Sequence, residues 1–254
     1  MNHSKKEIQR KIHPICQDLI AEMDEAYAKF DYKLNPQTDP SRILGIRVPI
    51  LRKFTKDLIK ESKVDLALKN QIDEFLQCSS HAYLEEDLIH ALLINEIKDW
   101  ESMKTQLLLF FSRIDSWKAC DILSPKFLKR KMKDHAFKIQ FQKEMKDWLQ
   151  AENIYQARFA MIVFMNHFLK ENYSKEIVDW IAYPKRPDLY FWMAQSWFLA
   201  TAMIDHFEDV YEVLNDSCIS ENVYKKSISK GLESFRVSDE NKEKLRNLRA
   251  LKRT

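Results

Sequence analysis

The sequence predicts a nearly all-helical protein of short-linked helices, and three observations carry that reading. Glycine is almost absent, with 2 Gly and 7 Pro in 254 residues, where average usage would give roughly 18 and 13. Gly supplies the positive-φ turns that hairpins and bulges need, so sandwiches and barrels are disfavoured. Apolar residues recur at spacings of three to four along most of the chain. No Ser/Gly-rich or Pro-rich linker divides it, so residues 1–254 read as a single helical-repeat domain. Successive helix pairs with a period near about 35–40 residues suggest HEAT- or armadillo-like stacking. Periodicity alone leaves a compact bundle and a solenoid both open.

The elements follow in order. Ile8, Ile12, Ile15, Leu19, Ile20, Met23 and Tyr27 predict an opening helix over residues 5–30. Tyr32–Pro40 is polar, contains two Pro, and reads as a loop. Pro49 suits the first turn of a helix running to about Ser62, with Leu51, Phe54, Leu58 and Ile59 inward. Further helices are expected at about 64–77, 81–98, 100–112, 116–123, 125–133, 135–149, 153–171, 174–181, 188–205, 208–215, 220–234 and 238–248. Ser238, followed by Asp239 and Glu240, is an expected N-cap with acid in the first turn.

Composition excludes several function classes. Phosphate loops need two or more neighbouring glycines, whereas Gly45 and Gly231 lie 186 positions apart. Cys16, Cys78, Cys120 and Cys218 form no C-x-x-C motif, and the seven His are scattered. No metal or cofactor is therefore expected. There is no apolar signal segment and no stretch near the roughly 18 apolar residues a membrane span needs, which reads as a cytoplasmic protein. Net charge is only +3. It is distributed unevenly: residues 1–60, 121–150 and 221–254 carry +4, +4 and +5, and the two blocks between them carry −5 each. Converging basic blocks would make a polyanion footprint that the total conceals; solvated mixed faces are the alternative. The densest basic run is Lys126–Lys133, which includes Lys129 and Arg130. Such runs often meet nucleic acid.

Four segments carry a more specific signal. They are Leu44-Gly45-Ile46-Arg47-Val48-Pro49-Ile50-Leu51-Arg52; Ile114-Asp115-Ser116-Trp117-Lys118-Ala119-Cys120-Asp121; the stretch from Ala157-Arg158-Phe159-Ala160 through Phe164-Met165-Asn166-His167-Phe168 to Tyr190-Phe191-Trp192-Met193-Ala194-Gln195-Ser196-Trp197; and Lys226–Lys230 followed by Glu233–Ser238. In this order, over roughly residues 8–250, they resemble the bacterial DNA alkylation repair proteins of the AlkD-like superfamily. The resemblance implies an α-solenoid, a superhelical stack of HEAT-like repeats, whose basic concave face holds double-stranded DNA. It implies a DNA glycosylase that excises cationic N3- and N7-alkylated purines without flipping the base. It places the site on Trp117, Asp121 and Trp197, and a phosphate contact on Arg158. With no membrane partner, the expected form is a monomer in the bacterial cytosol.

The chemistry fits these residue types. Trp117 and Asp121 are i and i+4 on an expected helix and so share a face. A carboxylate beside an aromatic plane suits a cationic leaving base. From the residues alone, Asp121 also fits pairing with Lys118 or Lys126 or capping a helix, Trp117 and Trp197 fit core positions as Trp100, Trp148, Trp180 and Trp192 do, and Arg158 fits a buried ion pair with Glu152 or another acid. The run 126–133 and Lys225, Lys226 and Lys230 are further candidates for DNA contact. A non-catalytic protein that binds DNA structure, and a protein-binding scaffold, remain alternative readings.

Overall fold

A computed structural model describes residues 5–251. Among them every regular element is helical. In order they are α1 (Lys5–Lys11), a 3₁₀ segment (Pro14–Glu22), α2 (Glu25–Leu34), a 3₁₀ turn (Pro40–Arg42), α3 (Val48–Glu61), α4 (Leu66–Gln77), α5 (Leu84–Ile94), α6 (Trp100–Phe111), α7 (Trp117–Asp121) and α8 (Leu128–Lys131). They continue with α9 (His135–Trp148), α10 (Ile154–His167), α11 (Lys175–Ala182), α12 (Leu189–Ala202), α13 (Phe207–Asn215), α14 (Glu221–Glu233) and α15 (Asp239–Leu251). From α3 onward each helix begins and ends within four residues of expectation. The caps explain the starts: Asp65, Asp99, Asp134 and Asn153 each accept a first-turn backbone N–H. Ser238 does the same for Asn241 at 3.2 Å.

The expected continuous helix over 5–30 is corrected to three pieces. Pro14 lacks an N–H and holds His13 extended, at φ −60° and ψ 142°. The chain then runs as a 3₁₀ segment to Glu22, and Asp24 caps α2 through the Tyr27 N–H at 2.9 Å. Ile15, Leu19 and Ile20 are still buried, because apolar spacings of three and four serve a 3.0-residue turn as well as a 3.6-residue one. The expected loop from Tyr32 starts later, at Asn35, since α2 runs to Leu34.

The helices group into two compact units, divided after Arg130. In the first, α3 packs on α5, and α5 on α6 and α7. In the second, α10, α12 and α14 lie side by side as one layer, while α11, α13 and α15 form another. This alternation of neighbours is that of stacked helix pairs. The first unit is filled by Phe75, Phe110, Phe111 and the wholly buried α5; the second by Phe141, Phe159, Phe164, Phe168, Phe191 and Phe198.

The first turn of α5 buries three successive acids, each about 1% exposed. Glu85 accepts the N–H groups of Leu44 (3.0 Å), Gly45 (2.8 Å) and Ile46 (3.1 Å). Glu86 accepts those of His13 (2.8 Å) and Tyr83 (2.9 Å). Asp87 pairs with Arg42 at 2.8 Å. Burial raises all three carboxyls above the usual range, against the pull of these donors. The turn that wraps Glu85 needs Gly45 itself. Its φ is +81°, and a Cβ there would lie 2.1 Å from the Asp24 carbonyl oxygen.

Behind the same turn, His81 Nε2 meets His90 Nδ1 at 2.8 Å in an aromatic pocket with Phe75 and Phe110. Burial lowers both imidazoles, His81 to about 3.

Two predictions follow from these contacts. Gly45→Ala is expected to lower the free energy of unfolding in urea by more than about 2 kcal/mol, the left-handed backbone and the collision adding together. The histidines give a pH signature. A lowered imidazole leaves the unfolded state binding more protons below its ordinary value of 6.5. Its stabilising contribution is whole above that pH and falls by about 1.4 kcal/mol per pH unit as pH drops toward about 3. The raised carboxyls act with the opposite sign, so the readout is the difference between wild type and His81→Gln. That difference should shrink as pH falls from 7.5 to 5, because the variant lacks the acid penalty.

Candidate functional site

Trp117 and Asp121 occupy the two ends of the five-residue α7, one turn apart and both half-buried. So short a helix cannot hold itself, and the surroundings fix it from four sides. Ser116 caps it, its Oγ accepting the Lys118 N–H at 3.1 Å and donating to Asn35 Oδ1 at 2.6 Å. The Trp117 indole N–H donates to the Leu34 carbonyl at 2.8 Å, which sets the ring's orientation. Lys118 Nζ pairs with buried Asp31 at 2.5 Å. Asp115, just before the cap, pairs with Arg42, which also holds Asp87. The C-terminal end of α2 and the first turn of α5 thus position this Trp–Asp pair. Of the two lysines weighed as partners for Asp121, Lys118 engages Asp31 and Lys126 engages Glu96.

Sequence reading did not find Asp31, Asn35, Arg42 or Asp87. The one signal was Lys118 itself: a lysine inside an otherwise apolar turn needs a buried acid.

In the second unit, Trp197 lies on α12 and is the most exposed of the six Trp, at 36%. Of Trp100, Trp148, Trp180 and Trp192, all expected in the core, only Trp148 is buried and the other three are half-buried. Arg158 on α10 is 5% exposed and donates to the Tyr190 carbonyl of α12 at 2.7 Å. It is therefore an interior guanidinium at the foot of a charged face. Lys226 and Lys230, one turn apart on α14, belong to that face. Partial burial, then repulsion from Lys226, pulls the Lys230 ammonium below its usual range; Arg158 adds to the repulsion and Glu233 opposes it. Lys225 points elsewhere, since it pairs with Glu221 at 2.5 Å on the exposed side of the helix. Lys126 and Lys129 line a groove of the first unit together with cations of α3, whereas Arg130 is exposed. The expected helix over 125–133 is a single turn, α8.

Among the described residues no group of three or more His, Cys, Asp or Glu is placed to hold a metal. None of the described helices is long and apolar enough to cross a membrane.

These features define a class: an all-helical repeat protein with localised cationic surfaces and a rigidly held Trp–carboxylate pair. The family model for DNA alkylation repair enzymes matches residues 15–228. The chain belongs to that family, and DNA alkylation repair, with DNA as substrate, is the role the family carries. No curated protein and no solved structure matches the chain.

The anchoring of α7 is directly testable. Asp31→Asn leaves the Lys118 ammonium, 12% exposed, without its counter-ion. The expected loss is about 2–4 kcal/mol in urea unfolding. It should come with a changed near-UV signal from the released Trp117 indole, and Asp31→Asn with Lys118→Met together should recover part of the stability.

Proposed function

We propose that the protein is a DNA glycosylase that hydrolyses the N-glycosidic bond of cationic N3- and N7-alkylated purines in duplex DNA. The reading rests on family membership together with one local observation: the family's Trp and carboxylate positions stand a turn apart on a helix that four polar contacts hold in place. Alkylation puts positive charge on the purine and weakens its bond to the sugar. The bond breaks heterolytically, its electron pair leaves with the now neutral base, and an oxocarbenium-like sugar remains. The Asp121 carboxylate stabilises the charge developing on the sugar and orients the water that adds to the anomeric carbon, whose surplus proton passes to solvent. Trp117 offers the cationic base an aromatic face worth about 0.5–2 kcal/mol, and Trp197 offers the DNA a second one. No protein group need protonate the leaving base, since the lesion already carries its charge. Lys226 and Lys230, backed by Arg158, contact phosphate. Lys129 and Arg130 do so from the first unit. Lys225 contributes less, being paired with Glu221.

A second reading, a non-catalytic protein that binds DNA structure, draws on the same cationic surfaces and needs no carboxylate.

The deciding experiment is release of 7-methylguanine or 3-methyladenine from methylated duplex DNA. Wild type should release base, and Asp121→Asn should lower the rate by about a hundredfold or more while DNA affinity stays within about twofold. A folded wild type that binds DNA tightly, with salt sensitivity but no release above background, overturns the glycosylase and leaves the second reading.

A further inference from the structure

Four polar atoms beside the support of α7 are buried and have no partner within the protein: Asp87 Oδ1, His90 Nε2, Arg113 Nη1 and Asp115 Oδ1. They belong to one neighbourhood. The Oδ2 atoms of Asp87 and Asp115 hold the two terminal nitrogens of the same Arg42 guanidinium, so the two carboxylates stand side by side. His90 lies one turn after Asp87 on α5, and its Nδ1 meets His81 Nε2 at 2.8 Å. Arg113 follows α6 and precedes Asp115 by two residues. Its Nε donates to the Leu109 carbonyl at 3.0 Å, which fixes the guanidinium with Nη1 buried. The Arg113 charge is felt at Asp87, His81 and His90.

We propose that these four atoms bind one internal water, and that through it Arg113 acts as a positioning residue for α7 and its Trp117–Asp121 pair. Three observations carry the proposal. The first is burial. A buried polar atom without a partner is unfavourable, and Asp87 and His90 are 1% and 0% exposed. Four such atoms in one neighbourhood point to a shared partner rather than to four separate penalties. The second is charge. Ionised Asp87 and Asp115 share Arg42, which leaves one negative charge over, and Arg113 supplies the second positive one. Two carboxylates and two guanidiniums cancel, so the site favours neither an anion nor a cation, and its occupant is neutral. The third is the sense of the hydrogen bonds. The carboxylate oxygens accept, the guanidinium donates, and a neutral imidazole nitrogen does one or the other according to its tautomer. Water serves all four. It donates to Asp87 and Asp115 and accepts from Arg113 and from His90 as the Nε2–H tautomer. The Nδ1 of that tautomer then accepts from His81 Nε2–H, the contact the two rings already make. Arg42 ties Asp115 to Asp87 on one side, and the water ties both to Arg113 on the other.

The proposal concerns the support of the pair, and only the kinetic arm of its test rests on the glycosylase reading. The full chain, labelled with fluorotryptophan or with isotopic nitrogen in histidine, is studied by NMR without DNA. In wild type the His90 ring should carry its proton on Nε2 and show a cross-peak to a long-lived water. Arg113→Met should displace the Trp117 fluorine line, assigned through Trp117→Phe, while the Trp148 and Trp180 lines hold. Arg113→Lys, which returns a charge and a donor, should restore most of the wild-type position. Arg236→Met, at an exposed arginine of the second unit, should leave the Trp117 line unmoved. In base release, Arg113→Met should lower kcat about tenfold with KM within about twofold, the cost of a small misplacement of the reacting groups. A folded Arg113→Met with the Trp117 line in place, or with kcat unchanged in an active enzyme, overturns the positioning role whatever its stability. A His90 ring without the Nε2 proton or without the water cross-peak overturns the water site, and this measurement on wild type decides even if Arg113→Met does not fold. If wild type releases no base, the glycosylase falls, and the NMR results still decide the proposal.

Discussion

Three adjacent carboxylates buried at the start of α5 are the constraint on which the first unit depends. Alone, each would be too costly to desolvate. The helix end supplies part of the compensation, because its free N–H groups and its dipole favour negative charge. The rest must come from other segments, and each acid summons a different one: the 44–46 turn to Glu85, the His13 amide to Glu86, and the Arg42 guanidinium to Asp87. Segments far apart in sequence are thereby fixed on one point. Arg42 passes the constraint on through Asp115 to α7. The start of α7 is thus tied to the burial at α5, while the Leu34 carbonyl of α2 orients the Trp117 ring.

That chain also separates what was legible in the sequence from what was not. Helix positions were legible because near-absence of Gly leaves few ways to turn, and polar caps punctuate the period. The opening segment was not, since its spacing serves two helix types and only Pro14 distinguished them. The Trp117–Asp121 pair could be read as a motif, with its shared side following from helix geometry. Its supports could not, because Asp31, Asn35 and Arg42 meet α7 across more than 70 residues of chain. Arg158 shows the limit differently: a basic residue in a motif reads the same whether its guanidinium is open or 5% exposed. Lys225 and Lys226 are neighbours in sequence, yet a helix turns about 100° per residue, and only one of them joins Lys230.

Charge follows the same logic. A near-neutral total had left a polyanionic partner open, and the uneven blocks hinted at where one would sit. In the first unit the groove draws most of its cations from the 1–60 and 121–150 blocks, while three of the acids in the block between them are buried at the start of α5. In the second unit the cationic face on α14 comes from the 221–254 block. Acids that serve the fold and bases that serve the surface cancel in the sum without cancelling in space.

The crowding of Lys230 by Lys226 and Arg158 has one more consequence. A face that repels itself when empty is a face whose occupancy and conformational stability are linked. Any anion that settles there relieves the repulsion, so the bound protein is the more heat-resistant one.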